Sequence, residues 1–75
     1  MLDFRFNTFL TLCKVLNYTR TAEILHITQP AVSQHIKYLE DNYGVKLFIY
    51  KGKNLTLTRE GEILYNFATA MKTSF

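Results

Sequence analysis

Between Thr28 and Tyr43 the spacing of Pro30, Ser33, Gln34, Lys37 and Asp41 brings them to one side of a helix, while Val32, Ile36, Leu39 and Tyr43 fall on the other. A hydroxyl, an amide and an amine along the first turns of an exposed helix are groups that a DNA major groove admits, since Gln can pair with the edge of adenine and Lys with that of guanine. A face made for a protein partner would be more aromatic. Lys51 and Lys53 lie at the tip of a candidate hairpin, where two amines can approach a narrow groove of high negative potential. Catalysis is a poor alternative. Ser33 and His35, two apart on a helix, project roughly 200° away from one another and cannot act as nucleophile and base. There is no glycine-rich phosphate loop, and two histidines without a partner thiol do not make a zinc site. No catalytic residue, cofactor or metal site is expected.

The elements that must position these residues follow from the periodicity. Phe6, Phe9, Leu10, Cys13 and Leu16 recur at three- and four-residue intervals and predict a first helix with Asp3 near its start and Asn17 as a left-handed cap at its end. A second helix is expected from Thr19, whose hydroxyl caps it, burying Ala22, Ile24 and Leu25, with His26 and Ile27 in a tight turn. Thr28 caps a third helix whose first turn accepts Pro30, and Gly44 stops it after Tyr43. Leu47 to Tyr50 read as one strand and Leu55 to Thr58 as its return, with Lys51 to Asn54 turning between them. From Thr58 a helical stripe of Ile63, Leu64, Phe67, Ala68, Met71 and Phe75 resumes and still runs where the sequence stops, so a truncated chain is expected. The predicted fold is mainly α: a winged helix-turn-helix with a three-helix core and a small β-hairpin wing at 1–58, followed by the start of a long carboxy-terminal linker helix at 59–75.

Size and composition agree with that scale. Seventy-five residues suffice for one domain, and with six Phe and five Tyr the chain is too apolar for disorder yet too small to spare a deep substrate cavity. The single cysteine, Cys13, reads as a small buried hydrophobe rather than a redox sensor, and a reducing, cytoplasmic compartment fits it. Polar residues interrupt Met1 to Leu16, so neither a signal peptide nor a membrane span is expected. The net charge is only +3, but residues 37–59 hold five Lys and Arg against two acids, which makes the positive field local.

The run from Tyr18 to Glu40, including Thr28-Gln29-Pro30-Ala31-Val32-Ser33-Gln34, is followed by Gly44-Val45-Lys46-Leu47-Phe48 and Leu57-Thr58-Arg59-Glu60-Gly61. Together they resemble the amino-terminal domain of LysR-type bacterial transcriptional regulators, over nearly the whole chain. The resemblance implies a sequence-specific reader of double-stranded DNA with a recognition helix at 28–43 in the major groove and a wing at 45–57 near the minor groove. It implies that Thr28, Gln29, Pro30, Ala31, Ser33 and Gln34 face the major groove, with Thr28 and Ser33 also suited to phosphate and Lys37 beside them. It further implies a homodimer through the fourth helix, and a small-molecule inducer bound only by a carboxy-terminal domain absent from these residues. Tyr50 departs from the family pattern, which often has an arginine touching phosphate there, and Thr21 replaces a common alanine. Met71 and Phe75 extend past any core that 60 residues build, so Ile63, Leu64, Phe67, Met71 and Phe75 are the expected dimerisation residues, Ile63 and Phe67 also packing on their own domain. Two such domains would read an interrupted inverted repeat with half-sites about one helical turn apart. The competing reading is a protein-interaction winged helix without DNA affinity, its patch formed by Tyr38, Tyr43, Phe48 and Tyr50.

Overall fold

The structure, a computed structural model, describes residues 3–72, with Met71 and Lys72 described by their backbone only. Helices α1 (Phe4–Val15), α2 (Tyr18–Leu25) and α3 (Gln29–Tyr43) precede a hairpin of β1 (Phe48–Lys51) and β2 (Asn54–Leu57), and α4 (Arg59–Lys72) follows. The predicted winged helix-turn-helix is therefore the observed fold. Met71's side chain and Phe75 lie outside the described residues.

Each helix start has a side chain that satisfies a backbone amide left over by the helical pattern. Asp3 accepts from Arg5 N at 2.9 Å, Asn17 from Arg20 N at 2.8 Å and Thr28 from Ala31 N at 3.2 Å. Asn17 thus caps the start of α2 in an extended conformation, while Leu16 takes the left-handed position (φ 52) that ends α1. The sequence reading placed this boundary one residue late, and Thr19 lies inside α2 rather than at its cap. His26 (φ 57) ends α2 in the tight turn, and Gly44 (φ 68) ends α3, its N–H donating to the Glu40 carbonyl at 2.8 Å.

Phe9, Leu12, Val32, Ile36, Leu39 and Leu47 form the centre of the core, and α1 packs on α2, α3 and α4 around it. The Phe9 and Phe48 rings meet edge to face, 5.7 Å apart, which ties the wing's base to α1. The second helix buries Ala22 and Thr21, whereas Ile24, expected inside, is 45% exposed and Leu25 only half-buried. Tyr43 is also largely exposed, touching the core through the edge of its ring against Phe6. Strand pairing runs Phe48 to Leu57, Ile49 to Thr56, Tyr50 to Leu55 and Lys51 to Asn54, so both strands sit one residue off their predicted limits: β1 begins at Phe48 rather than Leu47, and β2 at Asn54 rather than Leu55. Leu47 is instead a buried plug between α3 and the wing.

The fourth helix brings the largest correction. Its inner side is Gly61 and Ala68, flanked by the half-buried Leu64 and Tyr65, whereas Ile63 and Phe67 are 59% and 58% exposed. Thr58 explains the seating. Its hydroxyl donates to the Lys46 carbonyl at 2.6 Å and accepts from Gly61 N at 2.9 Å, so the first turn is drawn against the strand leading into the wing. A Cβ on Gly61 would run into the Leu47 carbonyl oxygen, and this close approach leaves no room there for a large side chain.

Candidate nucleic-acid interface

The outward face of α3 is built as its spacing predicted. Thr28, Gln29, Pro30, Ser33, Gln34 and Lys37 are all exposed, Ala31 is half-buried, and neither Ser33 nor Gln34 is covered by the wing. The opposite face sinks Val32, Ile36 and Leu39 into the core, which fixes the helix's rotation. Its flank is pinned to α1. The buried Thr8 hydroxyl lies 2.9 Å from His35 Nδ1, Phe4 stands edge-on to the His35 ring at 5.1 Å, and the Arg5 guanidinium sits 3.8 Å from the centre of the Tyr38 ring. His35 is therefore spent on positioning the helix, and Ser33 has no base beside it.

The wing exposes Tyr50, Lys51 and Lys53, and brings Tyr50 and Lys53 beside Gln29 of α3. An open cleft of about 240 Å³ joins the two halves, lined by Gln29 from α3, Tyr50 and Lys53 from the wing, and Asn17, Tyr18 and Thr19 from the start of α2. Sequence reasoning missed Tyr18 and Thr19 because nothing local marks the start of α2 as a neighbour of a hairpin some thirty residues further on. Burial is the main cause that raises the Tyr18 phenol above its ordinary 10, with the negative charge of Glu40 and the nearby Tyr50 adding to it.

Glu40 was missed as well. Its carboxylate, only 15% exposed, accepts from the buried Leu47 N–H at 2.8 Å and lies 3.9 Å from the Lys46 amine. It fastens the end of the recognition helix to the base of the wing. Lys37 pairs with Asp41 at 3.5 Å, one helical turn on, whereas Lys51 and Lys53 have no ion pair among the described residues. The two wing lysines thus keep a positive charge that no carboxylate among the described residues offsets.

The residues of the competing protein-interaction patch do not form one surface. Phe48 is buried, Tyr38 is stacked under Arg5, and Tyr43 and Tyr50 border different grooves. Cys13 lies on α1, half-buried, and burial pushes its thiol up to about 12, which suppresses the reactive thiolate. Among the described residues no group of three His, Cys, Asp or Glu is placed to hold a metal, and no helix is long and apolar enough to cross a membrane.

A helix pair with a polar, solvent-facing second member and a two-stranded wing beside it defines a winged helix-turn-helix domain of the regulatory type. The chain belongs to the lysR family of bacterial regulatory helix-turn-helix proteins, whose profile matches residues 5–62. It is 43% identical over 68 residues to the transcriptional regulator CitR of Bacillus subtilis, covering 89% of this chain and 23% of that protein. It is 59% identical to a crystal structure of a LysR-family transcriptional regulator from Eggerthella lenta, with a TM-score of 0.88 over 92% of this chain and 99% of that one. It also resembles, at 33% identity and a TM-score of 0.86, Vibrio fischeri DarR in complex with DNA, covering 99% of this chain and 26% of that one. The chain spans less than a quarter of the length of the curated relatives it matches. These relatives are regulators, in keeping with the reading against catalysis.

Proposed function

We propose that this chain reads double-stranded DNA as the sequence-specific domain of a cytoplasmic transcriptional regulator. The observation that carries the proposal is the outer face of α3: Ser33 and Gln34 stand free in solvent while the opposite face is locked into the core. Thr28, Gln29, Pro30, Ala31, Ser33, Gln34 and Lys37 enter the major groove or meet its phosphates. Tyr50, Lys51 and Lys53 approach the backbone or the adjacent minor groove, Tyr50 contributing a hydrogen bond without charge. A structure of a relative bound to DNA supports the same class of partner.

The division into a reading domain at 1–58 and a linker helix from 59 belongs to the same proposal. The linker helix pairs with its twin through Ile63, Leu64 and Phe67, two of which are exposed on one side of α4, and through Met71 and Phe75. The dimer then addresses an interrupted inverted repeat. In the whole regulator a small-molecule inducer is bound outside these residues.

The test is duplex selection from a random pool followed by binding measurements across salt. With roughly four to six phosphates neutralised per domain, log affinity falls with log salt by about 0.9 for each. Lys53→Ala should weaken selected and random duplexes alike, whereas Gln34→Ala should relax preference at one base pair by about 1–3 kcal/mol. Equal loss on both duplexes for Gln34→Ala overturns its base-reading role, and no retardation of any duplex at low salt overturns DNA binding itself.

A further inference from the structure

Tyr18 borders two openings at once. It lines the cleft with Gln29, Tyr50 and Lys53, and it also lines an open groove of about 540 Å³ that passes Ser33 and Lys37 along the later turns of α3. The two openings adjoin at Tyr18 and together make a trough between α3 on one side and the wing, with the segment leading into it, on the other. The Tyr18 ring is half-buried, and its hydroxyl has no hydrogen-bond partner among the described residues. Thr21's is the one buried side-chain oxygen in that condition there, so the Tyr18 hydroxyl stands where solvent reaches it.

The chemistry gathered in the cleft is that of donors. Burial above all, then the negative charge of Glu40 and the nearby Tyr50, raises the Tyr18 phenol above 10, so it keeps its proton throughout the neutral range. Tyr50 adds a second phenol, 60% exposed, and Lys53 an amine that no carboxylate pairs among the described residues. Glu40, the acid nearest in the adjoining groove, is already committed to the Leu47 amide and Lys46. Major and minor grooves adjoin across a single sugar-phosphate backbone. A domain with α3 in the first and its wing in the second must let that backbone cross between them, over the trough, and phosphate oxygens accept from Tyr hydroxyls as well as from Lys.

We propose that Tyr18 is a DNA-binding residue, its hydroxyl donating to the phosphate that crosses between the two grooves, with Tyr50 and Lys53 meeting the same phosphate from the wing. This rests on the DNA-binding reading given above. A phenol brings a hydrogen bond but no cation, so its removal weakens binding to every sequence without changing how many counterions are released. Tyr18→Phe keeps the ring and its packing, and thermal unfolding should match the wild type. Its affinity should fall about three- to tenfold for each domain bound, equally on selected and random duplexes. The slope of log affinity on log salt should stay as in the wild type, whereas Lys53→Ala makes it shallower by about 0.9. In a series of selected duplexes, each with one phosphate neutralised as a methylphosphonate, the Tyr18→Phe penalty should vanish at one position per half-site and persist at all others. The Lys53→Ala penalty should shrink at that same position. Wild-type affinity in Tyr18→Phe overturns the proposal, as does a loss confined to selected duplexes, a changed salt slope, or a penalty indifferent to every neutralised phosphate. Wild-type chain that binds no duplex would instead sink the DNA-binding reading, a result visible before any variant is made.

Discussion

Glu40→Ala should destabilise the domain far more than the loss of an ion pair would. The Glu40 carboxylate is the acceptor for the Leu47 N–H, and Leu47 is 1% exposed, so no water stands ready to replace it. A buried amide stripped of its partner costs about 1–3 kcal/mol. In a domain of this size each kcal/mol moves Tm by roughly 4–8 °C, so a fall of about 4–24 °C is expected in a thermal unfolding experiment. The contact with Lys46 adds little, because that lysine is 82% exposed and the separation is 3.9 Å, and Lys46→Ala should cost less than about 0.5 kcal/mol. Glu40→Gln keeps an oxygen in reach and loses only the charge assistance, so it should fall between the two. Exchange of the Leu47 amide with solvent should quicken in Glu40→Ala. A Glu40→Ala domain as stable as the wild type, or a Lys46→Ala domain equally impaired, would refute this account of how the wing is fastened. Removing the Glu40 charge should also lower the Tyr18 phenol part of the way toward 10, read by absorbance during alkaline titration, with burial keeping the remainder.

Three further outcomes are expected. Gly61→Ala should destabilise by at least about 1–3 kcal/mol in urea unfolding, because the new methyl meets the Leu47 carbonyl and α4 must move off the wing; full stability would mean α4 is seated differently. Thr21 is fully buried, and its hydroxyl is the one buried side-chain oxygen without a hydrogen-bond partner among the described residues; Thr21→Val, equal in shape, should stabilise by about 1 kcal/mol, and a loss instead would reveal a partner for that oxygen. Cys13 should resist alkylation near neutral pH, its thiolate being about a thousandfold scarcer than that of a thiol at 9.0, with reactivity restored in denaturant. Because burial raises both the Cys13 thiol and the Tyr18 phenol in the folded state, stability should be intact below pH 9 and fall as pH rises through their raised values, Cys13's at about 12. A chain equally stable at both ends of that range would contradict the burial of both groups.

Much of the site was legible because recognition helices are locally encoded. Thr28, Pro30 and Gly44 punctuate α3 through their own backbone and side-chain chemistry, and the 3.6-residue period separates Val32, Ile36 and Leu39 from Ser33, Gln34 and Lys37 without reference to any other part of the chain. The Lys37–Asp41 pair was available from the same spacing but was not read as a pair. Glu40, Tyr18 and Thr8 were not legible, since each matters through a partner on another element: the Leu47 amide, the wing and His35 respectively. The end of α1 was misplaced for a different reason. Asn tolerates the left-handed region and also caps helix starts, and with only two residues between α1 and α2 Asn17 takes the second task and Leu16 the first.

The amino-acid order alone determined the number and kind of elements, the rotation of α3 and its family, because caps, periodicity and turn chemistry act within a few residues of one another. Tertiary structure alone decided which side of α4 turns inward. Hydrophobicity favoured Ile63 and Phe67, but the base of the wing approaches the first turn of the helix so closely that only a glycine, Gly61, fits against it, and with Gly61 and Ala68 turned inward Ile63 and Phe67 face solvent. Steric fit at a backbone-to-backbone contact outweighs the apolar area that the bulkier residues would have buried, and that contact exists only once the chain has folded.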